Sequence, residues 1–481
     1  MQKTALPDLW QYRISDNPAQ EAIAIGDMFL EVGDGLQVTH LTDLNGTAVG
    51  VLLGFPIDLK ARRLINRDWQ SPFQLGSDPD AFVSETMRIL GGRFLWIFRT
   101  QSVARIYPDC SAQVPCVFDP AAKQVGSTAY ALLETDEYDA RFDAALFDEL
   151  GVDGEGWFPA GLTAHHGLHR LLPNHYLDLD TWAVQRFWSG PETTAEDPAR
   201  VVEEIIEIVQ AQIEALVNGP KRVAMALTAG TNTRTLIACA RDYIAKIDCM
   251  TIIGGDRHEM DSIVASRIAK DMGLNHIKLD RTNATDKQKE LFIKRGGHCN
   301  GDSNALYHPS VWPLAETHVF VGGAGGEIAY PSTLKATDTI ESKVSTAQII
   351  ARLGLPRNTT VALALERRLA DMGDIDVLTK LGLVYLEDRY AAWYAPQFCC
   401  DPTLLRLAPL LTTRSVELMM QLPAEWRQEN RLGHEIIARL WPELAQYPYN
   451  SLGKWRDMVL KLRRAIANPQ LVLKVLRKMR G

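Results

Sequence analysis

A short apolar run, Val223-Ala-Met-Ala-Leu227, passes through Thr228, Ala229, Gly230, Thr231, Asn232 and Thr233 into a helical stretch over residues 234–243. Few architectures send a buried strand into a helix through a loop of such small side chains. The surrounding pattern narrows them further. Upstream, Val202, Ile205, Ile206, Val209, Ile213 and Leu216 recur at helical spacing. Downstream, residues 247–253 read as strand and 260–272 as a helix closed by Gly273. Residues 276–279 and 319–321 read as further strands. Strands alternating with helices predict an α/β fold with a doubly wound parallel sheet and helices on both faces. Ligands of such sheets bind at the carboxyl ends of the strands, where residues 228–233 and 322–327 both fall. Residues after Val361 read as mostly helical.

The loop suits an anion. Small side chains let backbone N–H groups approach a phosphate, and a helix start adds unpaired donors and a partial positive charge. Thr228 and Thr233 can donate hydroxyl hydrogen bonds, and Arg234 is a charged donor. An ordinary βα turn would look the same on this segment alone.

The amino-terminal portion has a different texture. Over residues 20–190, short apolar segments such as Phe94-Leu-Trp-Ile-Phe98 sit between Gly, Asp, Asn and Pro turns, which reads as β-rich. The net charge of -8 gives no electrostatic case for nucleic acid. No apolar run is long enough to cross a bilayer. Seven irregularly spaced cysteines argue against a disulfide framework, and a cytoplasmic protein is expected.

Taken in order, these segments resemble the asparagine synthetase family. Thr228 to Thr233 resembles its Ser-Gly-Gly-x-Asp-Ser pyrophosphate loop. Thr251-Ile-Ile-Gly-Gly-Asp-Arg-His-Glu-Met-Asp-Ser262 is similar to the strand and acidic helix start that follow. Val319-Phe-Val-Gly-Gly-Ala-Gly-Gly-Glu-Ile-Ala-Tyr330 resembles the second glycine-rich signature, and Trp441-Pro-Glu-Leu the segment before the catalytic lysine. Leu90-Gly-Gly-Arg-Phe94, Tyr107-Pro-Asp109 and the hairpin around Leu168 to His175 resemble the glutamine-amidotransferase half.

The resemblance implies an Ntn-hydrolase-like α+β sandwich over residues 1–195. It implies a PP-loop ATP-binding domain with a helical C-terminal part over 196–453, then a basic tail over 454–481. It places ATP on Leu227, the loop from Thr228 to Arg234, Ile253, Gly323, Gly325 and Gly326. It puts Mg2+ on Asn232 and Glu327, with Asp256 and Asp261 as further acids nearby, and makes Lys454 the catalytic lysine. The implied reaction adenylates a small-molecule carboxylate and releases pyrophosphate; ammonia or an amine then displaces AMP to form an amide.

Two departures qualify this. The family's glutaminase uses a Cys directly after the initiator Met, whereas Met1 here is followed by Gln2, and no Cys precedes Cys110. Glutamine hydrolysis is therefore not expected, and the half-domain would be a scaffold, as in β-lactam synthetase and lasso-peptide cyclases, which resemble the family but use a substrate amine. The loop Asp that binds magnesium aligns with Asn232, and Ala324 and Ile328 stand where acids are usual. The alternatives are an amide ligase without its own glutaminase and a catalytically impaired nucleotide-binding or scaffold protein.

Other features have structural explanations. His165, His166, His169 and His175 lack a zinc-ligand pattern. Cys399 and Cys400 read as buried small residues. Asp302 and His308 fall where the family keeps its substrate pocket, and could equally be solvated loop residues. From Lys454 to Gly481 nine Lys and Arg face one acid, Asp457, along amphipathic helical spacing. That tail either packs its apolar side on the protein or makes peripheral contact with an anionic membrane. A homodimer is left open.

Overall fold

The computed structural model describes residues 8–17, 22–191, 194, 197–254, 259–299, 301 and 303–451. Five parallel strands form one sheet: β1 (Arg222–Ala226), β2 (Ile247–Ile253), β3 (His276–Asp280), β4 (His318–Val321) and β5 (Arg406–Leu407). Their order is β3-β2-β1-β4-β5, all parallel. The chain builds outward from β1 to β3, then returns to place β4 on the other side of β1. That reversal opens a crevice between the loops that follow β1 and β4, the usual ligand position of such sheets.

Side-chain alternation explains how both faces are covered. Val223, Met225, Cys249 and Val321 pack against Val202, Ile205 and Val209 of helix α1 (Pro198–Val217), with α2 (Thr231–Cys239) and α3 (Glu259–Met272) in the same core. Ala224, Met250 and Leu279 turn the other way, onto Val311, Leu314 and Leu404. Helix α1 begins with Asp197 accepting from the Ala199 N–H and Pro198 in the first turn, a pairing suited to a helix start. Gly273, at φ 65°, closes α3.

Two expectations change. Helix α2 starts at Thr231, three residues before Arg234, so Thr231, Asn232 and Thr233 belong to its first turn; the expected stretch to Tyr243 ends at Cys239 and continues as a 3-10 segment, Arg241–Lys246. The carboxyl-terminal region, expected to be mostly helical, also supplies β5. That strand is only two residues long and pairs through Phe320↔Arg406 and Val321↔Leu407, too short to leave a periodic signal.

The strands before residue 187 form a six-stranded antiparallel sheet and an eight-stranded sheet that is antiparallel except where Val38–Thr42 pairs with Asp68–Gln70. Tyr12, Ile14 and Leu30 of the first meet Leu53, Leu95 and Ile97 of the second in a shared core. Phe82, Val83 and Met87 of helix Pro79–Arg88 cover the outer face of the larger sheet against Trp96 and Phe98. Ala129 and Leu132 cover the other sheet at Val117. The result is a mixed α+β sandwich joined to a parallel α/β sheet.

The two parts are bolted together by buried polar contacts. The Gln212 side chain on α1 accepts from Gly92 N–H at 3.1 Å and donates to the Pro409 carbonyl at 2.6 Å. A Cβ on Gly91 would lie 2.8 Å from that amide, which accounts for glycine there. Glu387, fully buried, accepts from Asn174 at 2.7 Å and pairs with Arg186 at 2.9 Å. All seven cysteines are buried and unbridged. No helix among the described residues is long and apolar enough to cross a membrane.

Candidate functional site

At the carboxyl end of β1 the chain turns through Leu227, Thr228, Ala229 and Gly230 into α2. Gly230 is the residue before the helix, in extended conformation, and no side chain caps the first turn. The loop is held from within: Thr228 and Thr233 share a hydroxyl–hydroxyl hydrogen bond of 2.8 Å, and Gly230 N–H donates to Thr228 at 3.1 Å. Ala229 N–H donates to the Asp261 carboxylate on α3 at 2.9 Å. Asp261, expected near a metal, thus occupies one of the loop amides that would otherwise face an anion.

The second glycine-rich run follows β4 and lies directly on this helix start. A Cβ on Gly323 would lie 2.9 Å from the Asn232 carbonyl carbon and the Thr233 nitrogen, and one on Gly326 would lie 2.6 Å from the Asn232 side-chain amide. Only glycine permits these approaches. Gly325 adopts φ 95° ahead of the 3-10 turn Gly326–Ala329. The two runs singled out in the sequence meet at the crevice between β1 and β4.

Asn232 and Glu327 sit at the centre of that meeting. The Tyr330 hydroxyl donates to Asn232 Oδ1 at 3.0 Å, and the same amide lies beside the Glu327 carboxylate. Glu327 also accepts from Gly325 N–H at 3.1 Å. Burial pushes its carboxyl above the usual range, and burial together with the neighbouring Glu327 charge pushes Tyr330 up to about 12. Tyr330, absent from the expected site set, was detectable only as the last residue of the glycine-rich signature.

This donor set does not fit magnesium. Mg2+ favours charged oxygens in octahedral geometry. Beside the amide oxygen of Asn232, which already accepts a hydroxyl proton, stands one carboxylate whose burial disfavours its charged form, and Asp261 is taken by the Ala229 N–H. Among the described residues no group of three or more His, Cys, Asp or Glu could hold a metal.

Arg234 does not face the crevice. It is fully buried and donates to the carbonyls of Tyr447 at 2.7 Å, Ala229 at 2.8 Å and Pro448 at 2.5 Å. Its guanidinium lies 4.2 Å from the centre of the Tyr449 ring. Because these acceptors are main-chain oxygens, the expected charged phosphate donor instead clamps the carboxyl-terminal segment to the loop, where Asn450 N–H also donates to Ala229. Ile253 ends β2, half-buried, and its carbonyl accepts from Arg281 N–H at 2.9 Å. The Leu227 carbonyl accepts from Thr251 at 2.7 Å. Lys454, Asp256, Asp302, Gln2 and the basic tail lie outside the described residues.

A cavity of about 170 Å³ runs from Gly322 and Ala324 toward Trp10 and Arg93 of the sandwich, beside Asp401 and Arg406. Arg93 stacks on Phe398, 4.7 Å from the ring centre. Asp109 is buried and accepts from the N–H groups of Phe94, Ser111 and Gln113 at 3.0–3.1 Å, a purely structural engagement. Cys110 is buried with its thiol pushed well up, which denies it a nucleophile's thiolate. His308 packs on Phe292 at 4.8 Å, and its Nδ1 donates to the Ala305 carbonyl at 3.1 Å. His175 hydrogen-bonds the Pro173 carbonyl at 2.7 Å and is depressed by burial to about 2.

No protein-family model matches this chain, and no curated protein matches it. Among solved structures, the NH3-dependent NAD synthetase from Campylobacter jejuni is 14% identical, covering 36% of this chain and 73% of its own, at a TM-score of 0.18. The glutamine-dependent NAD+ synthetase from Acinetobacter baumannii, solved with ADP, is 12% identical over 45% of this chain and 40% of its own, at 0.19. Glutamine PRPP amidotransferase from B. subtilis, solved with ADP and GMP, is 10% identical over 82% of this chain and 90% of its own, at 0.20. Likenesses this slight carry no weight for function.

Proposed function

We propose that this chain is an asparagine-synthetase-like protein that binds an adenine nucleotide without magnesium-dependent turnover, acting as a nucleotide-binding or scaffold protein. The observation that carries this reading is the Tyr330–Asn232 hydrogen bond, which occupies the amide oxygen expected to share a cation with Glu327, while Glu327 itself is buried. Nucleotide binding rests on the place and chemistry of the crevice. It lies between β1 and β4, where strand order reverses, and the uncapped first turn of α2 opens beside it. Leu227, Thr228, Gly230, Thr231, Thr233, Ile253 and the glycines at 323, 325 and 326 would border the ligand.

Equilibrium dialysis with ATP tests the proposal. Binding should be saturable and equal in magnesium and in EDTA, and no carboxylate should support ATP–pyrophosphate exchange. Magnesium-dependent exchange with any amino acid or uronic acid would sink it.

An AMP-forming amide ligase is the second reading, and one observation favours it. The cavity from Ala324 to Arg93 would hold a small carboxylate or amine beside the nucleotide. Under this reading Lys454 would offset charge developing on the α-phosphate, and free ammonia or an amine would be the donor. A cytoplasmic protein, in one copy or two, suits either reading. Liposome pelleting with and without residues 454–481 tests the membrane contact of the tail.

A further inference from the structure

The largest cavity described lies at the opposite end of the parallel sheet from the nucleotide crevice. It measures about 550 Å³ and opens between the amino ends of β1 and β4, the carboxyl end of α1, and residues 55–66 of the sandwich. That size falls in the range of small-molecule sites, and sites of this kind favour domain junctions. Ile65, Leu216 and Val319, all buried, form apolar wall, and Phe55 and Leu64 extend it.

The charge of the wall is one-sided. Arg62, Arg63 and Lys221 border the cavity and, among the described residues, no acid lines it, although the chain carries a net charge of -8. Arg62 is offset by Glu214 at 2.8 Å, and Lys221 is steadied by the Ala315 carbonyl at 2.9 Å. Arg63 has no ion pair among the described residues. Lys221 and Arg63 thus remain as cations for a negative head, while the apolar wall takes a hydrocarbon body.

From this we infer that the junction cavity binds a small organic anion with an apolar body, its head at Arg63 and Lys221 and its body against Ile65, Leu216 and Val319. This inference does not depend on the nucleotide reading, because none of these residues borders the crevice.

Isothermal titration of the full chain with octanoate, octyl phosphate and neutral 1-octanol tests it. At least one anion should bind saturably and about tenfold more tightly than octanol. The stronger anion identifies the head group. Arg63→Glu, at an exposed position, should weaken that anion by about tenfold or more and leave octanol unchanged. Asn218→Trp, which places a large ring at the cavity wall, should abolish both. Absence of saturable anion binding, or equal binding of anion and alcohol by the unaltered protein, overturns the inference whatever the variants do.

Discussion

The hydroxyl of Tyr330 donates to the side-chain oxygen of Asn232 at 3.0 Å, joining the turn after β4 to the first helical turn after β1. The carboxylate of Glu327 lies beside the same amide. An aspartate at this position would place two carboxylates together and would need a cation between them. Asparagine removes that need, since its amide supplies both a donor and an acceptor.

Asn232→Asp should therefore make stability depend on magnesium. In EDTA the variant should lose about 1–3 kcal/mol, the cost of an unpaired buried polar group. Millimolar magnesium should restore part of it while leaving the unaltered protein unchanged. Thermal unfolding in the two buffers measures this; identical behaviour of both proteins would contradict the account.

Asp261→Ala should tighten anion binding at the loop. It frees the Ala229 N–H from its 2.9 Å partner and removes a negative charge from the crevice. A gain of about tenfold for ATP, corresponding to roughly 1.4 kcal/mol, is expected in equilibrium dialysis.

Gly326→Ala should break the meeting of the two loops. The added methyl would lie 2.6 Å from the Asn232 side chain, and overpacking of this kind costs about 1–3 kcal/mol. Urea unfolding provides the number. Gly76→Ala is the control for the added methyl alone: φ is not positive there and nothing lies within 4 Å, so the clash-dependent cost should be absent.

Arg234→Met should free the carboxyl-terminal segment while keeping much of the buried volume. The carbonyls of Tyr447 and Pro448 lose their shared donor, and limited proteolysis should cut near Tyr449 at least several-fold faster. Unchanged cleavage would mean that main-chain contacts such as Asn450 N–H to the Ala229 carbonyl hold the segment without the guanidinium.

Acid should weaken the fold through buried histidines. Burial holds His165 at about 3 and His298 at about 4, against roughly 6.5 in the unfolded chain. A folded value below the unfolded one means stability is complete above about pH 6.5 and falls as pH drops toward the folded values. His165 also has two ring nitrogens without hydrogen-bond partners. His165→Phe should raise stability by about 1–2 kcal/mol near neutrality and flatten the acid loss. Urea midpoints at about pH 7.5 and about pH 5 check both effects.

Much of the parallel sheet was readable in advance. Val223, Ala224 and Met225 form a continuous apolar run because both faces of β1 are buried, and Val202 to Leu216 recur at helical spacing because only one stripe of α1 meets the sheet. The glycines at 323 and 326 were equally visible. The strand β5 was not, because two residues have no period, and the helix start at Thr231 was hidden by residues that look the same in a loop or a first turn.

What the linear pattern determined is therefore the layer order and the neighbourhood of the site: parallel strands, small-residue loops at their carboxyl ends, and two glycine runs near each other. Tertiary structure alone decided what those loops do. Whether Arg234 faces a ligand or the carbonyls of Tyr447 and Pro448, and whether Asn232 faces a cation or the hydroxyl of Tyr330, depends on groups far away in the chain. Periodicity records which face of an element is buried, whereas a polar side chain's partner is set by three-dimensional proximity, which leaves no local spacing to read.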